Sequence, residues 1–331
     1  MDLLAFQKEF SERGIELLGI VPPTIGEGRS QYLEWLSRRE PGLLDYMAKN
    51  AELRSDPCLL FPDTRTVIVF GLPYYQGDTL KSHGAIAQYA RFSDYHRLMR
   101  TLGTLVMEHL NFKSDSFRVF VDSAPILERA LARQVAGGFI GKNTCFIHEK
   151  KGSFFLLGEI FCREQLPLSP AGEDLDCGKC TACQTVCPTG ALNKDYQLDA
   201  KLCIAYWTIE HRGAIPKNFW PHLKHYYFGC DLCQLACPFN QKEIPRLTLQ
   251  QRVFPDLFEI ATMDQTTYER AFGGTPLTRA KRSGLRRNAL IAMHELADSR
   301  LEEAMSRCEV DDESPVRETL DQLREELNGH R

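Results

Sequence analysis

Apolar residues switch between helical and strand spacing along the first half of the chain. Leu3, Phe6, Phe10 and Leu17 recur at helical intervals and predict a helix over 2–18. Residues 66–70 form a β-branched and aromatic run between Pro62 and Gly71, the pattern of a buried strand. Leu98, Leu102, Leu105, Val106 and Leu110 predict a helix over 95–110. Residues 117–121 read as a strand, and Pro125 opens a helix through Val135. Gly137, Gly138 and Gly141 are expected to end that helix in a tight loop. Segments 144–147 and 154–161 read as a strand pair across Lys151-Gly152. The pattern predicts a mixed α/β (α+β) domain over 1–170. A proline-containing acidic linker, 166–176, leads into a cysteine-dense module over 171–245. From 246 to 331 the spacing is helical. Segments 286–305 and 314–328 resemble one pair of a HEAT-like repeat, with Leu290, Ile291, Met293, Leu296 and Leu301 on one face. A single pair cannot close a solenoid, so it must pack on the rest of the protein.

The chain has 331 residues, 43% hydrophobic and 25% charged, with a formal net charge of −4. That balance supports a buried core and excludes wholesale disorder. A polycation is excluded too, so nucleic-acid binding would need a local basic patch. The unusual number is twelve cysteines. Disulfide scaffolds crowd cysteines into short secreted chains, and this chain is not short. Its first residues, interrupted by acids, do not read as an export signal, and no run approaches the ~18 apolar residues of a membrane span. The expectation is a cytoplasmic protein with reduced thiols and no membrane partner, which makes the cysteines candidate ligands.

Eight of the twelve lie between 177 and 237. Cys177, Cys180, Cys183 and Cys187 follow one another at ferredoxin spacing, with Pro188 next. Cys230, Cys233 and Cys237 precede Pro238, and Cys203 stands between the groups. In the ferredoxin pattern three closely spaced thiolates hold one cubane while the fourth, expected to start a helix, reaches the other. Crossing the ligands assigns Cys177, Cys180, Cys183 and Cys237 to a first [4Fe–4S] cluster. Cys187, Cys203, Cys230 and Cys233 form the second. Two structural zinc sites are the competing reading, because C-x2-C pairs also bind zinc. A third cysteine at the same interval followed by Cys-Pro favours clusters. The other four cysteines, Cys145 included, read as free thiols.

Clusters move single electrons and need an acceptor where chemistry happens. No G-x-G-x-x-G follows a strand and no Walker loop exists. Asp94-Tyr95-His96 approaches the lower-ligand cobalamin motif D-x-H-x-x-G but has Met99 where glycine is needed. Residues 276–290 carry Arg279, Lys281, Arg282, Arg286 and Arg287 with no acid, while 301–331 hold ten acids against four arginines. From charge alone the basic run reads equally as a solvated face or an anion site.

Several segments resemble the epoxyqueuosine reductases, cobalamin-dependent enzymes of queuosine tRNA modification. They are Tyr89 to His96, Val121-Asp-Ser-Ala-Pro-Ile-Leu-Glu-Arg129, Gly141-Lys-Asn-Thr144, Gly152-Ser153 with Leu157-Gly-Glu159, both cysteine groups, Cys203 to Glu210, Tyr227 to Cys233, and Arg287-Asn-Ala289. The resemblance implies base-off cobalamin on the α/β domain and electrons passed from an outside donor through both clusters. The reaction it implies turns the epoxide of a wobble base into an alkene and water. Asp122 matches the family's proton donor, whose pKa burial beside the corrin would raise; helix capping before Pro125 is its bland alternative. Arg54, Lys142, Asn143, Thr144, Gly158 and Glu159 fall in segments that match the corrin surroundings. Arg212, Arg279, Lys281, Arg282, Arg286 and Arg287 become candidate contacts to the tRNA anticodon stem-loop. Tyr206 and Trp207 could stack on a splayed base, although core packing suits both. The chain is expected to act as a monomer. A corrinoid reductase acting on a small molecule, similar to the reductive dehalogenases, and a plain electron carrier are the alternatives.

Overall fold

The computed structural model describes residues 3–39, 43–77, 84–172, 174–241, 245, 250–309 and 314–329. Of the acidic tail, 310–313 and 330–331 therefore lie outside the described residues. The strands are β1 (Glu16–Val21), β2 (Thr66–Pro73), β3 (Ala85–Ile86), β4 (Phe117–Phe120), β5 (Gly138–Ile140), β6 (Phe146–His148), β7 (Phe155–Cys162) and β8 (Tyr226–Phe228).

β2 is an inner strand of the main sheet. All eight of its residues are buried, and its alternation sends Ile68, Phe70 and Leu72 to one apolar cluster and Val67 and Val69 to another. The sheet runs β1-β2-β7-β4, and every neighbouring pair is antiparallel. Helices Leu3–Glu12 and Tyr95–His109 cover the first face through Phe6, Phe10, Met99 and Val106. Ile126, Leu131, Phe146 and Phe61 cover the second, beside helix Glu128–Ala132. The fold is α+β, as expected.

Two local expectations change. The helix expected over 2–18 stops at Glu12; Gly14 turns the chain at φ 69°, and Leu17 pairs with Phe70 as part of an edge strand. Sheet pairing overrides the helical spacing of one leucine. The strand pair expected across Lys151-Gly152 does not form as drawn: β6 pairs with β5, whereas β7 joins β2 and β4 in the main sheet. Gly138 sits in a strand and not in a loop. A Cβ there would lie 2.6 Å from the Phe146 ring and 2.7 Å from Val135, so only glycine lets these side chains close over it.

The C-terminal helices pack around Lys281–Glu295, which is buried on every side from Gly284 to Met293. Leu257–Thr262, Leu301–Cys308, Ser314–Gly329 and Trp220–Leu223 surround it. The segment 286–305 is thus two helices. Leu296 caps the first, lies 38% exposed and leaves the apolar face assigned to it. The core here also takes in Ile86, Ala90, Ile215 and Phe228, and β3 pairs in parallel with β8. Segments drawn apart at 170 and 245 therefore share one apolar cluster.

Candidate active site and cluster centres

The structure gathers the eight cysteines into two neighbourhoods. Cys177, Cys180, Cys183 and Cys237 line one small cavity together with Lys142, Asn143, Ile147, Pro238 and Phe239. The Lys142 amide N–H donates to Cys177 Sγ at 3.4 Å, the kind of contact that stabilises a thiolate. In the second set, Cys203 lies in the field of Cys187, Cys230 in that of Cys203 and Cys187, and Cys233 in that of Cys230 and Cys203. Two one-turn helices produce the crossing. Ala182–Val186 carries Cys183 and delivers Cys187 at its C-cap; Leu232–Leu235 carries Cys233 and leads to Cys237. Cys187 thus ends a helix and does not start one; Pro188 cannot prolong it. The two short helices pack on each other. Burial pushes the Cys237 thiol up to about 11 and the Cys230 thiol higher, so cluster assembly must expel protons here. Cys145, read as a bystander, is hydrogen-bonded to Cys233.

Buried amides dock this module on the sheet domain. Asn240 Oδ1 accepts from the Ser153 amide at 2.7 Å, and Gln234 Nε2 donates to the Ser153 carbonyl at 2.9 Å. Tyr74 donates its hydroxyl to Gln234 Oε1 at 3.1 Å, and Asp231 Oδ2 accepts from the Gln88 amide at 2.8 Å. The Gly141–Cys145 loop is a second bridge. Asn143 Nδ2 donates to the Cys233 carbonyl at 3.5 Å, Lys142 Nζ reaches Asp195 at 3.1 Å, and Arg129 donates to the Thr144 carbonyl. Lys142, Asn143 and Thr144 thereby join the cysteine sets to the helix that follows Asp122.

Asp122 lies just past the end of β4 with its side chain more than half exposed. Because the sheet is antiparallel, this is not the switch-point crevice of a parallel sheet. It does not cap a helix: Leu127 occupies the N-cap of Glu128–Ala132, and no side chain caps that helix. Its Oδ2 accepts from the Tyr95 hydroxyl at 2.7 Å and lies 3.2 Å from His96 Nε2. His96 Nδ1 in turn lies 2.6 Å from Asp94 Oδ1. The Asp122 amide donates to Glu128 Oε1 at 2.6 Å. The His96 hydrogen bond, aided by Tyr95 and the Arg279 charge, holds the Asp122 carboxyl below the usual range. The raised pKa expected of Asp122 is therefore not found; hydrogen bonding to the charged form outweighs desolvation. The raised carboxyls are its neighbours. Burial, then the Asp122 charge, lifts Glu128 to about 8, and burial lifts Glu159 well above its ordinary value. Tyr95, His96 and Glu128 lie in the segments that carry the resemblance, but the sequence assigns them no role at the site. The Asp94-Tyr95-His96 run was the available signal, but a cobalt-ligand motif was sought there and not partners for Asp122.

The residues expected around a corrin divide. Glu159 is fully buried, and neither carboxyl oxygen has a hydrogen-bond partner among the described residues; Arg54 Nε is likewise unpaired. Gly158 faces the other side of the sheet, where a Cβ would meet Phe70 at 2.6 Å and Met99 at 3.1 Å. Close packing on Phe70 explains a glycine at this position without a corrin.

The basic run divides too. Arg286 is 3% and Arg287 0% exposed. Arg286 donates to the Ala261 carbonyl and Arg287 to the carbonyls of Trp207, His211 and Gly213. Their charge is spent on backbone acceptors, so neither is a phosphate contact. Arg212, Arg279 and Lys281 are exposed and Arg282 partly so. Arg279 forms a two-pronged ion pair with Glu210 and lies 5.0 Å over the Tyr46 ring. Arg212 donates to the carbonyls of Ile209 and Arg279. Trp207 is partly buried, packing on Phe219 at the edge of the core and donating to the Lys201 carbonyl. Among the described residues no helix is long and apolar enough to cross a membrane.

Residues 54–123 match the family model described as epoxyqueuosine reductase QueG, DUF1730, and residues 176–240 match that of a 4Fe-4S double cluster binding domain. The epoxyqueuosine reductase of Pseudomonas aeruginosa is 38% identical, the alignment covering 85% of this chain and 82% of the relative. That of Escherichia coli K12 is 35% identical over 88% of this chain and 82% of its own length. The fold matches the epoxyqueuosine reductase of Streptococcus thermophilus with a TM-score of 0.84 at 24% identity, covering 97% of this chain and 89% of that one. It also matches an epoxyqueuosine reductase bound to an epoxyqueuosine-modified tRNA-Tyr stem loop, with a TM-score of 0.82 at 25% identity over 95% and 87% of the two chains. Crossed cysteine sets, the Asp122 constellation and these alignments agree: the chain belongs to the epoxyqueuosine reductase family of oxidoreductases.

Proposed function

We propose that this chain reduces epoxyqueuosine to queuosine at the wobble position of tRNA, using cobalamin and two [4Fe–4S] clusters fed by an external donor. The observation that carries the reading is the Asp122 carboxylate. It is held by Tyr95 and His96 at the rim of the sheet, beside the buried, unpaired carboxyl of Glu159 and within one loop of both cysteine sets. An unpaired carboxyl and an unpaired guanidinium Nε fit the rim of a corrin, whose primary amides offer both donors and acceptors. Glu159 and Arg54 would hold those amides. Bound and reduced, cobalamin supplies a strong nucleophile or reductant toward the strained epoxide.

The protein's own part is proton delivery and placement. Asp122 would protonate the departing oxygen, because an unprotonated alkoxide is a poor leaving group near neutral pH; its hydrogen bonds favour the charged form, so covering the carboxyl with corrin and substrate must desolvate it and raise its pKa before it can donate. Tyr95 fixes the carboxyl's orientation. Arg212, Lys281 and Arg282, with Arg279 if its pair with Glu210 opens, form the positive rim offered to the phosphates of the anticodon stem. A small-molecule corrinoid reductase would have no use for such a rim. The test is complementation. A bacterial strain lacking its own reductase and accumulating epoxyqueuosine is given this chain, and hydrolysed tRNA is analysed by mass spectrometry. Conversion of the epoxide nucleoside to queuosine is expected; unchanged epoxide in cells holding the loaded protein would overturn the proposal.

A further inference from the structure

Asp122 serves the reaction proposed above only while its carboxyl is aimed, and its own backbone works against that. Its φ of 36° lies in the left-handed region, which a residue with a side chain keeps only where its surroundings fix it. β4 ends at Phe120, and the chain crosses from there to helix Glu128–Ala132 with Asp122 and Ser123 exposed. Within the crossing the Ile126 amide donates to the Ala124 carbonyl at 2.8 Å, a turn that leaves Asp122 outside.

The bonds that hold Asp122 act on different parts of it. The Tyr95 hydroxyl and His96 Nε2 meet Oδ2, at 2.7 and 3.2 Å, and fix the end of the side chain. The backbone is held by Glu128, whose Oε1 accepts from the Asp122 amide at 2.6 Å. Glu128 is the first residue of its helix, where an acid ordinarily faces the free amides of that helix. No side chain caps this helix, and Glu128 reaches back six residues instead. The helix is a firm platform. It packs on β7, β1 and β5, and Arg129 donates to the Thr144 carbonyl in the loop that meets both cysteine sets.

We infer that Glu128 is a positioning residue for the reaction: by accepting the Asp122 amide it holds that backbone in the left-handed conformation that aims the Asp122 carboxyl. It acts through Asp122 and not on the substrate. The role needs a hydrogen-bond acceptor of the right reach and no charge. Glu128 meets both conditions. Its side chain spans the gap from a helix fixed on the sheet. Burial, then the Asp122 charge, lifts its carboxyl to about 8, so near neutral pH it stands uncharged beside the Asp122 carboxylate and does not repel it. The pair thus divides its work: the charge stays on Asp122, and the neutral partner holds the chain.

The inference rests on the proposed function, and two measurements separate them. Turnover of an epoxyqueuosine-bearing tRNA stem-loop is followed at pH 7 with protein carrying its full cluster and corrin absorbance. Hydrogen–deuterium exchange of the Asp122 amide is read on the same loaded protein without substrate. Glu128→Ala should fall roughly 10²-fold in kcat with KM for the stem-loop unchanged, because a displaced catalytic group costs rate and not binding. Its Asp122 amide should exchange faster than in the wild type. Glu128→Gln keeps a neutral acceptor of the same reach and should recover most of the rate and the slow exchange. Glu128→Asp, one methylene too short, should behave as Glu128→Ala and carries the test if that variant loads poorly. Wild-type kcat and exchange in Glu128→Ala or Glu128→Asp would overturn the positioning role. So would a Glu128→Gln variant as slow in turnover as Glu128→Ala, since an acceptor would then not be enough. No turnover by the loaded wild type would overturn the proposed function, while the exchange rates would still show whether Glu128 holds the Asp122 backbone.

Discussion

Asp122 has a φ of 36°, a left-handed conformation that costs most residues roughly 1–3 kcal/mol and is best tolerated by asparagine, aspartate and glycine. That conformation aims the carboxyl at Tyr95 and His96 and not at the following helix. Asp122→Asn should therefore keep the backbone, both clusters and the corrin spectrum while abolishing turnover; near-normal single-turnover reduction by this variant would falsify the proton-donor role. Glu128 allows a pH test. Its carboxyl moves from an ordinary 4.5 to about 8, so between those values the folded protein keeps a proton that the unfolded chain releases. This contribution is whole below about pH 5 and is lost as pH rises through 8. The melting temperature of wild type relative to Glu128→Gln should fall on the order of 3 °C across that window; parallel curves would remove the buried-carboxyl account. Arg287 makes the opposite point about sequence. It looks like a surface cation in a basic run, yet its guanidinium ties three carbonyls together inside the core. Arg287→Met should cost roughly 3–5 kcal/mol of stability, read by denaturant unfolding, because those carbonyls lose their donors.

At the scale of elements, what could be read from the chain was what local physics decides. β2 and helix Tyr95–His109 were visible because each carries an unbroken period, two-sided burial in one and a long apolar stripe in the other. The pairing of β6 with β5 was not visible, because a three-residue strand holds too little pattern to name its partner. The burial of Lys281–Glu295 was equally hidden. A helix surrounded on all sides should read as apolar all round, but this one carries Arg286, Arg287 and Asn288. Their partners outside the helix lie 22 to 80 residues away. The same non-local logic governs the β3–β8 pair, which places Cys230. Gly229 follows β8 at φ 71°, and a Cβ there would stand 2.5 Å from that of Ala87. Gly229→Ala should displace Cys230 and lower iron content and thermal stability together, by about 1–3 kcal/mol for the latter. Full iron loading in that variant would show that the strand junction does not position the second cluster.

Across the whole molecule, the site depends on chain crossing that no single segment contains. Cysteine spacing grouped the candidate ligands because ferredoxin geometry is local, whereas burial sorts the candidate corrin and tRNA residues and is not legible in spacing. Of the six cations expected at tRNA, two serve the core; of the corrin set, Gly158 packs against Phe70. The crossing has a consequence for assembly. Cys237 is 60 residues from Cys177 yet lines the same cavity, and Cys187 sits four residues from Cys183 yet belongs to the other set. Clusters held by these sets would staple the two cysteine segments together, and neither would form before the one-turn helices Ala182–Val186 and Leu232–Leu235 dock. If so, Cys177→Ala and Cys237→Ala must remove the same cluster, and Cys187→Ala and Cys230→Ala the other, although sequence position groups them differently. Each single variant should keep about half the iron of the wild type. Cys177→Ala combined with Cys237→Ala should lose no more, whereas Cys177→Ala combined with Cys187→Ala should lose nearly all. Iron analysis with electron paramagnetic resonance of the reduced proteins reads both quantities. A double variant Cys177→Ala, Cys187→Ala that still holds half its iron would mean that each sequence group builds its own cluster, and the crossed arrangement would fall.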